Sequence, residues 1–419
     1  MKCITFIGVG RPKTRKYDRA NYYFKKMEKE TEFIQEAICE FFKPEELYVM
    51  VTDQAMENYR KLESKLKENN LVRSIKTVKI PAGKNVDELW EIFRKISSVV
   101  EEGDSLIFDI THGLRSLPFV CFLSIAYLKE VKNVKIEKVV YGAYEARDER
   151  GTPILDLTEI TTLLDWLNAV RDFLKFGDAT NLGKLMEEAQ NRAYKEKLEF
   201  KPVALKSFAQ NLEEFSLAVH LSRPKEAITS AGKVVELIDP AEKEIEVLLP
   251  PATHVIDKIK EIKRFAGVWG ESLDFECIKK QMELIKYQLE LGLFVQAAEL
   301  ARELLVSYLI YRLNYRTSEW LERDIRRSVE LSLGHCQDII RKEKEGRADE
   351  INLVKDAIGL LDMEDWKSVV KLWMEISEVR NDLAHCGMNP HPIDINRVEK
   401  RVREIVEKLE RLILENSSH

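Results

Sequence analysis

No two cysteines in this sequence stand in a Cys-x-x-Cys pair; the six, Cys3, Cys39, Cys121, Cys277, Cys336 and Cys386, are scattered singly. That spacing gives neither a zinc ribbon nor a disulfide framework. His335-Cys336 and His385-Cys386 are adjacent pairs, which one element cannot turn onto a common metal, so no metal site is expected. No run of about 18 apolar residues occurs, which excludes a membrane-spanning helix. The first residues lack the basic and apolar segments of a secretion signal. A soluble, cytoplasmic chain is expected. Internal repeats and low-complexity stretches are missing too. Neither sign of charge dominates: 33% of residues are charged and the net is −6, so nucleic acid would have to bind at a local patch.

What is present is enough apolar material, 45% of 419 residues, for two or three domains. Short Ile- and Val-rich runs at Cys3–Gly10, Leu47–Thr52, Ile75–Ile80, Ser105–Thr111 and Val139–Ala143 alternate with helical patterns. Phe33, Ile34, Ala37, Ile38 and Phe41 form one helical face. Leu89, Ile92, Phe93, Ile96 and Val99 form another, opened by Asn85 with Glu88 three residues on. Strands alternating with helices predict an α/β domain, a parallel-type sheet with flanking helices. Pro153–Ile160 is expected to add an edge strand. From about residue 161 the strand signals give way to helical periodicity, as in 294–314 and 363–380, so an all-α C-terminal region follows. Breaks are expected at 195–202 and 239–253, and Pro250-Pro251 marks a boundary at or just after it. The predicted division is 1–160, a helical linker region 161–260, and 261–419.

Ligands of parallel sheets bind beyond the carboxyl ends of the strands. Three strand ends carry suitable residues: Gly8, Gly10 and Arg11; Thr52 and Asp53; and Thr111, His112, Gly113, Leu114, Arg115 and Ser116. The last runs from a strand through a glycine turn into a helix with Pro118 in its first turn, where proline is favoured. Backbone N–H groups at such a turn attract phosphate, and Arg115 offers a planar fork for it. A merely capped strand–helix turn is the bland alternative. Gly8-Val9-Gly10 lacks the third glycine of the dinucleotide pattern, which weakens a metabolic oxidoreductase reading.

A second constellation is Arg380-Asn381-Asp382-Leu383-Ala384-His385. An arginine can neutralise a phosphate, and a histidine can move protons near neutral pH. RNA supplies its own nucleophile, the 2′-hydroxyl, so a proton carrier and a charge stabiliser suffice. Asn381 and His385 share a helix face. Arg380 and His385, five apart, lie about 140° apart around an ideal helix. Either the helix is distorted or two copies combine their residues. An ordinary charged helix end is the alternative, and the basic runs Lys258–Arg264 and Arg323–Arg327 are solvated faces or an RNA path.

Arg380 to His385 resembles the R-x-x-x-x-H signature of HEPN ribonucleases, including the Asn after the Arg. Asp109 to Pro118 resembles the ligand loop of CARF domains, the Rossmann-like sensors of CRISPR systems. CARF first and HEPN last is the order in ancillary ribonucleases of type III CRISPR defence. The resemblance implies a homodimer, or a higher assembly, whose paired CARF domains bind cyclic oligoadenylate, with cyclic tetra-adenylate favoured over cyclic hexa-adenylate. It implies one composite HEPN site, with Arg380, Asn381 and His385 as catalytic residues, cutting single-stranded RNA to a 2′,3′-cyclic phosphate without metal or cofactor. Thr111, His112, Arg115 and Ser116 are candidates for degrading the activator. The alternative is a nucleotide-sensing binding protein or transcription regulator whose HEPN-like domain only dimerises.

Overall fold

The computed structural model describes residues 1–10, 17–112, 116–248, 253–347 and 358–415, and these divide into two compact units, Met1–Asp165 and Trp166–His419. The first is a mixed eight-stranded sheet with flanking helices. In chain order its strands are β1 (Lys2–Ile7), β2 (Ala20–Phe24), β3 (Met27–Thr31), β4 (Glu46–Val51), β5 (Ser74–Lys79), β6 (Ser105–Asp109), β7 (Lys135–Gly142) and β8 (Thr152–Asp156). They lie side by side as β3-β2-β8-β7-β6-β1-β4-β5. β5, β4, β1, β6 and β7 run parallel. Their central members are apolar throughout because both faces are covered. Side chains alternate between two cores: Cys3, Ile7, Leu47, Val49 and Val51 join one, Ile4, Phe6, Tyr48 and Met50 the other.

The two helical faces read from the sequence are α1 (Ile34–Phe42) and α3 (Val86–Ser98); α2 (Met56–Glu68) lies between them in the chain. The Asn85 side chain accepts from the Glu88 N–H at 2.9 Å, while the Glu88 carboxylate accepts from the Lys84 N–H at 2.9 Å. Two otherwise orphaned donors at the start of α3 are thereby satisfied. α4 (Leu117–Lys132) carries Pro118 in its first turn.

Two features depart from the expectation. The segment expected as an edge strand is β8, which is internal: it pairs antiparallel with β7 and parallel with β2, and its chain turns helical at Thr158. It is interior because of a hairpin, β2–β3, that the pattern does not announce. The hairpin turns on Lys25-Lys26, with Lys25 at φ 56°, where Asn or Gly is the usual residue.

The second unit is helical: α5 (Thr158–Phe176, which begins in the first unit), α6 (Thr180–Lys195), α7 (Leu205–His220), α8 (Pro224–Leu248), α9 (Thr253–Ile259), α10 (Phe275–Glu290), α11 (Phe294–Arg312), α12 (Arg323–Lys344), α13 (Trp366–Ala384) and α14 (Ile395–Glu415). The expected break at 195–202 falls between α6 and α7. The break expected from 239 is absent there, because α8 continues through Pro240 to Leu248. A proline inside a helix forfeits one hydrogen bond, and here tertiary packing of Ile238, Ala241 and Ile245 in the core outweighs it. Pro250-Pro251 lies outside the described residues. α11 is apolar around much of its circumference and packs against α10, α12, α13 and α14, so it is the buried axis of its bundle.

The buried carboxylate of Glu244 accepts from the backbone N–H groups of Val203, Ala204 and Leu205 at 2.7–3.0 Å. It thus fills the donor-rich start of α7 from a different helix. No described helix is long and apolar enough to cross a membrane.

Candidate functional site

β1 is the strand from which the chain runs outward first to β4 and β5 and then, on the other side, to β6 and β7. The sheet reverses its winding there, and a crevice opens beyond the carboxyl ends of such strands. The cleft at that place has a volume of about 580 Å³. Of the residues singled out from the sequence, Gly8, Gly10, Thr52, Thr111 and His112 line it. Asp53 is outside the lining, exposed and paired with Lys79 at 3.3 Å. Ser116 stands at the start of α4, also outside the lining. Arg11, Gly113, Leu114 and Arg115 lie outside the described residues.

The turn after β6 is built on a buried carboxylate. Asp109 Oδ2 accepts from the Thr5 hydroxyl at 2.6 Å, and Asp109 Oδ1 accepts from the backbone N–H and hydroxyl of Thr111. Thr111 Oγ1 in turn accepts from the Gly142 N–H at 2.8 Å, tying the ends of β6 and β7 together. Gln35 closes the network from α1, donating to Thr5 Oγ1 at 3.1 Å and to the Phe6 carbonyl at 2.9 Å. Apart from Gln35 Oε1, which is buried without a partner, the network's polar atoms are hydrogen-bonded, and such networks favour one backbone geometry. A Cβ on Gly142 would stand 2.2 Å from Ile34 Cδ1, so only glycine leaves this packing undisturbed.

Four tyrosines, none of them singled out as a site residue from the sequence, also line the cleft: Tyr17, Tyr22, Tyr141 and Tyr144. Tyr17 accepts a hydrogen bond from the Gly8 N–H at 2.8 Å, and its ring lies 4.8 Å from that of His112. Burial raises both phenols, Tyr22 to about 12, so both are neutral, flat surfaces at physiological pH. Burial lowers the His112 imidazole below its ordinary value, with Asp109 pulling the other way. His112 Nε2 is shielded from solvent and has no hydrogen-bond partner, an acceptor or donor held in reserve beside the cleft. The adjacent Tyr22 and Tyr23 on β2 were the available signal, but the hairpin that carries Tyr22 was not legible.

Arg380, Asn381 and His385 occupy the end of α13. The Arg380 Nε–H donates to Glu299 of α11 at 3.1 Å and its Nη1 donates to Asn381 Oδ1 at 3.2 Å. His385 is the exposed cap residue just past the helix, and its N–H still donates to the Asn381 carbonyl at 3.0 Å. The helix is therefore regular to that point, and the separation of about 140° between Arg380 and His385 stands. Asp382 faces inward and holds the following loop, accepting from Asn389 Nδ2 at 2.6 Å and the Ile393 N–H at 3.2 Å. Glu299 is a residue the sequence could not have flagged, since it lies in a different helix. Among the described residues, no group of three or more His, Cys, Asp or Glu side chains is placed to hold a metal ion.

Comparison with known proteins gives two family matches. Residues 3–148 match the model described as CRISPR system endoribonuclease Csx1, CARF domain, and residues 162–266 match CRISPR-associated protein MJ1674, second domain. A curated relative, CRISPR-associated protein MJ1674 of Methanocaldococcus jannaschii, is 26% identical over 195 residues, 46% of this chain and 29% of its own length. The chain thus spans less than a third of that relative. Among solved structures, Enterococcus italicus Csm6 bound to cyclic hexa-2′-fluoro-hexa-dAMP aligns over 99% of this chain and 94% of its own, with a TM-score of 0.44 and 10% identity.

Proposed function

We propose that the chain, whose residues 3–148 match a CARF-domain model and 162–266 the second domain of a CRISPR-associated protein, is a CRISPR-associated ribonuclease switched on by cyclic oligoadenylate. The observation that carries the reading is the cleft at the carboxyl ends of β1, β4 and β6, where glycine-turn backbone, a shielded imidazole and tyrosine rings meet. Bases stack on flat surfaces, and the tyrosine rings of this cleft offer them. Gly8, Gly10, Arg11, Thr52, Asp53 and the turn Thr111 to Ser116 are the proposed activator residues, with the tetra-adenylate ring preferred. The proposed division is a sensor over 1–160, a helical linker over 161–260 and a HEPN ribonuclease domain over 261–419.

In the proposed reaction a base takes the proton of the RNA 2′-hydroxyl, and the freed oxygen attacks the adjacent phosphorus. The 5′-oxygen leaves with a proton, and a 2′,3′-cyclic phosphate remains. His385 moves the protons, and Arg380, oriented by Asn381, neutralises the charge that develops on the phosphate. No metal enters the step. Because Arg380 and His385 diverge around their helix, the site is completed by a second copy of the chain, which makes the active species a homodimer. Activation requires the ring to prefer one of two dimer arrangements, since equal affinity for both shifts nothing.

The test is RNA cleavage rate against activator concentration for the wild type and Arg115→Ala. A charge-assisted phosphate contact contributes about 1.5–3 kcal/mol, so the midpoint moves roughly tenfold to a hundredfold while the plateau is kept. An unchanged curve removes this turn from the sensing site.

A further inference from the structure

The cleft has a polar centre and an apolar end. On the side of β4 and β5 it is walled by Met50, Ile80, Pro81, Ala82 and, from α3, Ile92. Among the described residues lining that side, only Thr52 and Gln54 carry polar side chains. An apolar bed does not take a phosphate, whose lost hydration would go uncompensated. A flat heteroaromatic ring buries its faces on such a bed and needs hydrogen bonds only at its edge.

Gln54 sits in the short turn Asp53–Ala55 that follows β4, and it is exposed to the cleft. Its amide presents an acceptor and a donor side by side in one plane. That is the complement of the adenine edge, where the exocyclic amino group donates and a ring nitrogen accepts. The Thr52 hydroxyl, a single atom, cannot serve both at once. Asp53, the residue between them, is turned to Lys79.

We propose that this end of the cleft is the base subsite and that Gln54 reads adenine there. The proposal rests on the cleft being the cyclic oligoadenylate site, and it assigns the discrimination of the base to one side chain. Gly8, Gly10 and the turn after β6 are left to the phosphates and riboses.

The experiment is calorimetric titration of the full-length protein with cyclic oligoadenylates of four and six units and with their inosine counterparts. On the N6–N7 edge that the amide reads, hypoxanthine carries a carbonyl where adenine carries its amino group, so that edge presents two acceptors to the amide. Wild type binds the adenine ring roughly tenfold or more tightly than the inosine ring. In Gln54→Leu, adenine affinity falls about tenfold and the two rings bind alike. Gln54→Glu keeps the acceptor that takes the amino proton and loses the donor to the ring nitrogen, so affinity falls while adenine is still preferred. Because the side chain is exposed, thermal midpoints stay at the wild-type value, which separates reading from folding. If Gln54→Leu keeps the wild-type preference for adenine, the proposal is overturned while the cleft remains the ligand site. If wild type binds neither ring, the reading of the cleft fails, and this proposal with it.

Discussion

Arg380 and Glu299 are ion-paired between α13 and α11, Nε to Oε2 at 3.1 Å, with each side chain about one-third exposed (32% and 33%). An ion pair this open contributes about 0–1 kcal/mol to stability, so its consequence is orientation. With Nε on Glu299 and Nη1 on Asn381, the guanidinium is held in one plane. Glu299→Ala is therefore predicted to lower the activated RNA cleavage rate by roughly tenfold, within the range expected when a charge stabiliser loses its alignment. Glu299→Gln keeps an acceptor oxygen and retains most of the rate. The activator midpoint and the melting temperature stay put in both. Equal rates for wild type and Glu299→Ala would show that the pair does not position Arg380.

Gly142 and Ile34 set the packing beneath the cleft. Gly142→Ala places a methyl group against the fully buried Ile34 side chain and is predicted to cost about 1–3 kcal/mol by chemical denaturation. Ile34→Val removes the clashing atom and alone costs about 0.5–1.5 kcal/mol. Combined, the two changes cost less than their sum, because one relieves the other. Strict additivity would place the damage of Gly142→Ala elsewhere.

Much of the first unit was legible in the sequence because parallel strands covered on both faces must be apolar, and the five such runs became β1, β4, β5, β6 and β7. The hairpin β2–β3 was not. Met27–Thr31 reads Met-Glu-Lys-Glu-Thr, mostly exposed, and its turn has no glycine. Without it, β8 could only be placed at an edge, and the tyrosines it helps bring to the cleft went unseen. The break expected from 239 was misjudged because Pro240 is tolerated where its neighbours are buried, and α8 runs on to Leu248. Gly8, Gly10, Thr52, Thr111 and His112 were found because strand ends and glycine turns are local signals. Thr5, Gln35 and Glu299 reach Asp109, Thr5 and Arg380 across 104, 30 and 81 residues of chain, and no local pattern carries such contacts.

His112 predicts a pH dependence of stability. Burial holds its imidazole below the ordinary value of 6.5 in the folded chain. Below that pH the unfolded chain binds a proton that the folded chain does not, so unfolding is favoured. The contribution is therefore complete above about pH 6.5 and is lost as pH falls toward the lowered folded value. His112→Phe keeps a ring against Tyr17 and removes the proton site. Melting temperatures between about pH 4 and 7 should fall more steeply with acid for wild type than for the variant. Parallel curves would mean that His112 titrates normally.

The central claim is tested most directly by incubating labelled single-stranded RNA with the protein in excess EDTA, without activator and with cyclic oligoadenylates of four and six units. The account predicts cleavage that depends on the ring, is strongest with the four-unit ring, leaves 2′,3′-cyclic phosphate ends, and vanishes in folded Arg380→Ala and His385→Ala. Cleavage at one rate with and without either ring, or none until magnesium or manganese is restored, would contradict it.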